Sequence, residues 1–168
     1  MIPALPSANV VLATTDFSQR SDSAVPYAYA VAEAWGTVHL LHVIEIPALP
    51  NPMYAHYGPT PPSPAEREIA LGDSRARLRG LVPEAARKRE VATLVHVVEA
   101  QAPDIARAIR SKAEEIGADL VCMASHGRRG LARVLMGSVA EEVLRSIGLP
   151  VLVVRPPAHA LVHEAEER

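Results

Sequence analysis

The sequence is poor in cysteine, aromatic residues and lysine, and each shortage closes off a chemistry. Its one cysteine, Cys122, has no partner for an intrachain disulfide, which points to a reducing compartment. Aromatics make up only 4% of the 168 residues, too few for a platform that stacks single-stranded bases. A net charge of −2 gives no electrostatic footprint for general nucleic-acid binding. No apolar run approaches the length of a membrane span. The opening MIPALPSAN has neither the basic nor the apolar region of a signal peptide, so a cytoplasmic protein is expected. The lysines, Lys88 and Lys112, lie in no GxxxxGK[ST] loop, and there is no GxGxxG. A Walker-type NTPase and a standard dinucleotide enzyme are therefore not expected.

Small aliphatic residues are abundant. The chain is 49% apolar, and its apolar runs are short and regularly spaced. Residues 9–16 (NVVLATTD), 37–45, 91–99, 119–125 and 150–155 read as strands. Helices are expected over 18–35 (closed by Gly36, with Ser18 as cap), 64–89, 103–116 (closed by Gly117) and 138–147 (closed by Gly148). Pro26 implies a late start or a kink in the first helix, and Pro83 an end or bend in the second. Ile69, Leu71, Leu78 and Leu81 are the candidate inner positions of the second helix. Residues 46–63 are proline-rich and aperiodic and read as a loop, with Met53, Tyr54, His56 and Tyr57 available to fold over a ligand. One domain over 1–156 and a tail over 157–168 account for the chain. Continuous apolar strands alternating with helices predict an α/β fold: an open, doubly wound parallel sheet of five strands. Ligands of such sheets bind beyond the strand C-termini, where the strand order reverses.

At that end of the fourth strand stands ASHGRRGLARVLMGS, residues 124–138. Gly127, Gly130 and Gly137 permit close backbone approach and positive φ. Gly137-Ser138 opens a helix whose free N–H groups and dipole suit an anion, with Arg128, Arg129 and Arg133 adding charge. The same residues have a plainer reading. On it Ser138-Val-Ala-Glu141 is a capping box, and the glycines serve only to turn the chain.

The stretch resembles the G-x2-G-x9-G-[ST] signature of the universal stress protein family, here Ala124-x2-Gly127-x9-Gly137-Ser138. The resemblance extends over residues 9–155 through TTDFS, LHVIE, GADLVCMASHG and GLPVLVVRP. It implies a Rossmann-like sheet of order 3-2-1-4-5 and places the chain in the family's ATP-binding branch. One departure is Ala124 at the first signature glycine. Carried over by position, Asp16 stands near the ribose or a metal-associated phosphate, and Thr14 lines the same crevice. Val43 receives adenine through its backbone. Met123 and Ala124 floor the pocket. Gly127, Gly137, Ser138 and Val139 cradle phosphate, with Arg128 beside them. A magnesium or manganese ion would be carried by the phosphates and Asp16. The family's mode of dimerisation implies a homodimer through residues 150–155.

His39, His42 and His96 sit in strands without a recognised zinc spacing, and read as packed or hydrogen-bonded. His126 reads as a loop residue and Cys122 as a small core residue. No general base is assigned, so at most a slow ATPase is expected. The expected role is a nucleotide-dependent regulator in stress response. Two alternatives stand beside it: a dimeric interaction module that binds no nucleotide, and a sensor of AMP or cyclic AMP.

Overall fold

The computed structural model describes residues 8–47, 62–126 and 136–155. Five parallel strands form one sheet: β1 (Ala8–Thr15), β2 (Ala32–Glu45), β3 (Ala92–Ala100), β4 (Leu120–Ala124) and β5 (Val151–Val154). Their spatial order is β3-β2-β1-β4-β5, the expected one. β1 is central, and the order reverses between β1 and β4. Alternation along the strands feeds two cores. Val11, Ala13, Val38, Leu40, Cys122 and Ala124 face one way, beneath α1 (Gln19–Asp22), α2 (Val25–Val31), α3 (Pro64–Gly80) and α4 (Glu84–Lys88). Leu12, Leu41, Val121 and Met123 face the other way, beneath α5 (Ile105–Glu115) and α6 (Ser138–Ser146). A fully buried Leu or Val contributes roughly 1.5–3 kcal/mol, so helices cover both faces.

The helix expected over 18–35 is two helices and the start of a strand. Ser18 caps α1 as expected, accepting from Ser21 N at 3.2 Å. Pro26 has no N–H with which to continue α1, and sits instead in the first turn of α2, where none is needed. α2 then ends at Val31, five residues before Gly36. The reason lies far off in sequence. Arg89 donates to the carbonyls of Tyr29 (2.6 Å), Ala30 (3.4 Å) and Ala32 (2.8 Å), which closes the helix from outside. Ala32 becomes extended and pairs with Ala8, and the register shifts before Thr37 joins Val10. Gly36 passes so close to β1 that a Cβ would lie 2.9 Å from Asn9 O, and this approach, not a helix end, requires the glycine.

The helix expected over 64–89 is likewise divided. Ser63 and Glu66 form a capping box at the start of α3, and Pro83 occupies the N-cap position of α4 without a side-chain bond. Leu78 is buried, Leu71 and Leu81 are partly buried, and Ile69 is 63% exposed. At about 100° per residue, Ile69 lies nine residues and half a circle away from Leu78, so both cannot face the core. Gly117 follows α5 with φ +62, the left-handed closure expected there. Among the described residues β5 is an edge strand that pairs only with β4. Most of the loop expected at 46–63, with its Met53, Tyr54, His56 and Tyr57, and the tail 157–168 lie outside the described residues.

Candidate functional site

A cavity of about 410 Å³ opens where the strand order reverses, at the C-terminal ends of the strands. Thr14, Thr15 and Asp16 enter it from β1 and Leu41 to Glu45 from β2. Ile105 and Ile109 come from α5, Met123 to His126 from the end of β4, and Gly137 to Ala140 from the start of α6. Of the expected site residues, Thr14, Asp16, Val43, Met123, Ala124, Gly137, Ser138 and Val139 all line this one cavity. Gly127 and Arg128 lie outside the described residues, as do Arg129, Gly130 and Arg133.

The wall built by β1 and α1 is held by its own hydrogen bonds. Asp16 Oδ1 accepts from the Ser21 hydroxyl at 2.5 Å and from Ser18 N at 3.0 Å. Thr15 Oγ1 donates to Asp22 Oδ1 at 2.5 Å, contacts Ser21 Oγ at 2.8 Å and accepts from Phe17 N at 2.9 Å. The turn that makes this possible is strained, with Phe17 at φ 63. Phe17 is clamped in place. Its ring lies 4.1 Å from that of His42, and the Arg77 guanidinium sits 4.2 Å over its face and donates to its carbonyl at 3.2 Å. His42 Nδ1 is bonded in turn to Thr15 O at 2.8 Å. The net effect is a carboxylate fixed at the cavity edge.

The wall built by α6 is different. The expected Ser138 cap and its capping box do not form. Gly137 is the N-cap, Ser138 is already helical, and among the described residues no side chain caps the helix. Gly137 has φ −73, so positive φ is not what this position uses. Its N–H bonds Ser125 O at 2.7 Å, which ties the start of α6 to the end of β4. The N–H groups of the first helical turn, which need a partner from outside the helix, therefore border the cavity.

Ala124 raises the question of whether its methyl narrows the cavity. It packs in the cluster of Cys122, Val154 and Ala28, on the face opposite Met123. Strand alternation turns the methyl into the core beneath α1 and α2, leaving backbone to the cavity. Ser21, His42, Ser125, His126, Ile105 and Ile109 were not anticipated as lining. The i, i+4 spacing of the two isoleucines on a predicted helix was a usable signal. Ser125 Oγ and His126 Nδ1 lie 3.0 Å apart. Burial pushes the Cys122 thiol up to about 12, so it stays protonated. Among the described residues, no group of three or more His, Cys, Asp or Glu side chains could hold a metal ion, and no helix is long and apolar enough to cross a membrane.

The universal stress protein family model matches residues 8–155. The chain belongs to this family. Universal stress protein MJ0531 of Methanocaldococcus jannaschii is 51% identical over 45 residues, which is 27% of this chain and 26% of that protein. MJ0577 of the same organism is 46% identical over 43 residues, again about a quarter of each chain. The solved structure of MJ0577 superposes with a TM-score of 0.68 at 25% identity, covering 90% of this chain and 98% of that one. A universal stress protein solved in complex with cAMP shares the fold, with a TM-score of 0.56 at 21% identity over 90% and 99% of the two chains. An Arabidopsis thaliana family member solved with AMP bound also shares it, with a TM-score of 0.57 at 14% identity over 90% and 94% of the chains.

Proposed function

We propose that this universal stress protein binds ATP in the cavity between β1 and β4 and acts as a nucleotide-dependent regulator in stress adaptation. The observation that carries this reading is the pairing of two unlike walls around one cavity: a fixed carboxylate on one side and, on the other, a helix start that no described side chain caps. Between them lies the apolar surface of Val43, Ile105, Ile109 and Met123. A flat base suits the apolar part. Hydroxyl donors of a ribose suit Asp16, whose charge would repel a bare phosphate. Phosphates suit the N–H groups of α6, where the helix dipole adds to the hydrogen bonds. Gly127 and Arg128 would complete the phosphate side by their place in the signature.

A magnesium or manganese ion would be held chiefly by the phosphates. Asp16 and Glu45 are the carboxylates at the cavity, too few for a site made by protein alone. A second copy of the chain would add its β5 to the β5 edge. Nucleotide acts here as a ligand, with no catalytic residue assigned.

Titration calorimetry of ATP with magnesium into nucleotide-stripped protein tests the reading. Micromolar binding is expected, and its absence would leave the interaction-module alternative in front. That alternative loses its main argument once the Ala124 methyl lies in the core. Sensing of AMP or cyclic AMP is the stronger competitor, because neighbours of this fold have been solved with each. Competition of AMP and cyclic AMP against bound ATP decides between them. Displacement of ATP at lower concentration than ATP itself requires would transfer the role to the displacing nucleotide.

A further inference from the structure

Two imidazoles lie below the cavity, outside its lining. His39 on β2 and His96 on β3 share a hydrogen bond, Nδ1 to Nε2, of 2.8 Å. Their ring planes differ by 4° and their centroids are 5.0 Å apart. That separation is what an in-plane N–H···N bond gives, so the rings meet edge to edge in a common plane. In such a bond one nitrogen donates and the other accepts, which both rings can do while neutral. A first added proton places a cation in a part-buried site. A second also turns the remaining acceptor into a donor aimed at a donor.

The surroundings oppose that first proton. His39 is only 8% exposed. From α5, the charge of Lys112 acts on both rings; its side chain is largely buried, and its Nζ donates to Glu115 Oε2 at 2.6 Å. Glu115 acts the other way, on His96. From β2 and β3 each ring meets the other. Burial first, then Lys112, holds His96 below the ordinary value of 6.5; burial, then His96 and Lys112, does the same to His39.

The pair is wired to the cavity by periodicity. His39, Leu41 and Val43 alternate onto one face of β2, and the last two line the cavity. Ile105, Ile109 and Lys112 form one stripe of α5, and its two isoleucines line the cavity. We propose that His39 and His96 form a proton-sensitive latch beneath the cavity: acidification charges the pair against Lys112, loosens α5 from β2 and β3, and weakens ligand binding. The ligand half rests on the proposed nucleotide site. The stability half does not. Because the folded histidines take up protons less readily than the unfolded chain, the stability they contribute is complete above the ordinary histidine value. It is lost as pH falls from 6.5 toward the lower folded values.

The test compares the full chain with the double variant His39→Val, His96→Val, which removes both partners and leaves no orphaned nitrogen. Urea unfolding without ligand, at about pH 7.5 and about pH 5.5, is expected to show a larger acid loss in the wild type than in the variant. Equal acid losses overturn the latch. If the double variant does not fold, Lys112→Met serves instead. Removing the opposing charge should raise the histidine midpoints and shrink the acid loss, and an unchanged loss again overturns it. Ring-proton NMR gives a direct readout: titration of the pair at or above 6.5 contradicts the geometry. Magnesium–ATP affinity is then measured at both pH values. The dissociation constant of the wild type should rise on acidification by roughly fivefold more than that of the variant, the titration of ATP itself being common to both. Equal rises overturn the ligand half. Absence of binding at either pH overturns the proposed nucleotide site, while unfolding still decides the latch.

Discussion

The two walls of the cavity both begin a helix, and they treat its free N–H groups in opposite ways. At α1 the Ser18 side chain caps the helix, while Thr15, Asp16, Ser21 and Asp22 bond one another around a strained Phe17. At α6 the cap is a glycine, and among the described residues no side chain intervenes. One wall is finished by its own side chains, and the other offers backbone N–H groups that no described side chain caps. A change to the first should register mainly in stability, and a change to the second mainly in binding.

The largest effect that would break this contrast is expected at Gly137. A Cβ there meets Ser125 O at 3.4 Å and His126 Cα at 3.7 Å, which are ordinary contacts, so the fold should tolerate a side chain. Gly137→Val nonetheless places bulk beside the open N–H groups, and ATP affinity by calorimetry should fall by roughly a hundredfold or more. Unchanged affinity would mean that α6 only turns the chain. Next comes Ser21→Ala, which removes a buried hydroxyl shared by Thr15 and Asp16. It should cost about 1–3 kcal/mol in urea unfolding, with a smaller change in affinity. The reverse ranking would erase the distinction between the walls.

Asp16→Asn keeps the shape of the turn and removes the charge. Affinity for ATP should fall by roughly fivefold if the carboxylate accepts ribose hydroxyls. A rise in affinity would show that it faces phosphate without a metal. The smallest change in binding is expected from Ala124→Gly. Loss of a core methyl and added chain entropy should lower stability by about 1 kcal/mol, and affinity should stay within about twofold. A large gain in affinity would mean that the methyl does crowd the cavity after all.

Much of this was legible in the residue pattern. Runs such as VVLA and LVCMA are apolar at consecutive positions, which suits a strand covered on both faces. The strand order and the place of Asp16 came from the family resemblance, and the placing of Gly137 from its position in the loop after the fourth strand. The helices of the α1–α4 face were less legible. Residues 18–35 are good helix formers apart from Pro26, and local preference carries a helix to Gly36. It ends at Val31 because Arg89 takes its last carbonyls, a contact across about sixty positions. Ser138 looked like a cap for a similar reason. Ser-x-x-Glu is a capping box only when the chain enters the helix at the serine, and here Gly137 N bonds Ser125 O and moves the entry one residue back.

By itself, then, the sequence determined the layers, the parallel sheet and the end of the sheet where a ligand would sit. These depend on periodicity, which each segment carries alone. Tertiary structure decided where helices stop, which hydroxyls Asp16 holds, which way the Ala124 methyl points, and that His39 meets His96 beneath Lys112. Those outcomes depend on groups distant along the chain arriving within hydrogen-bond reach, and no local pattern records such a meeting.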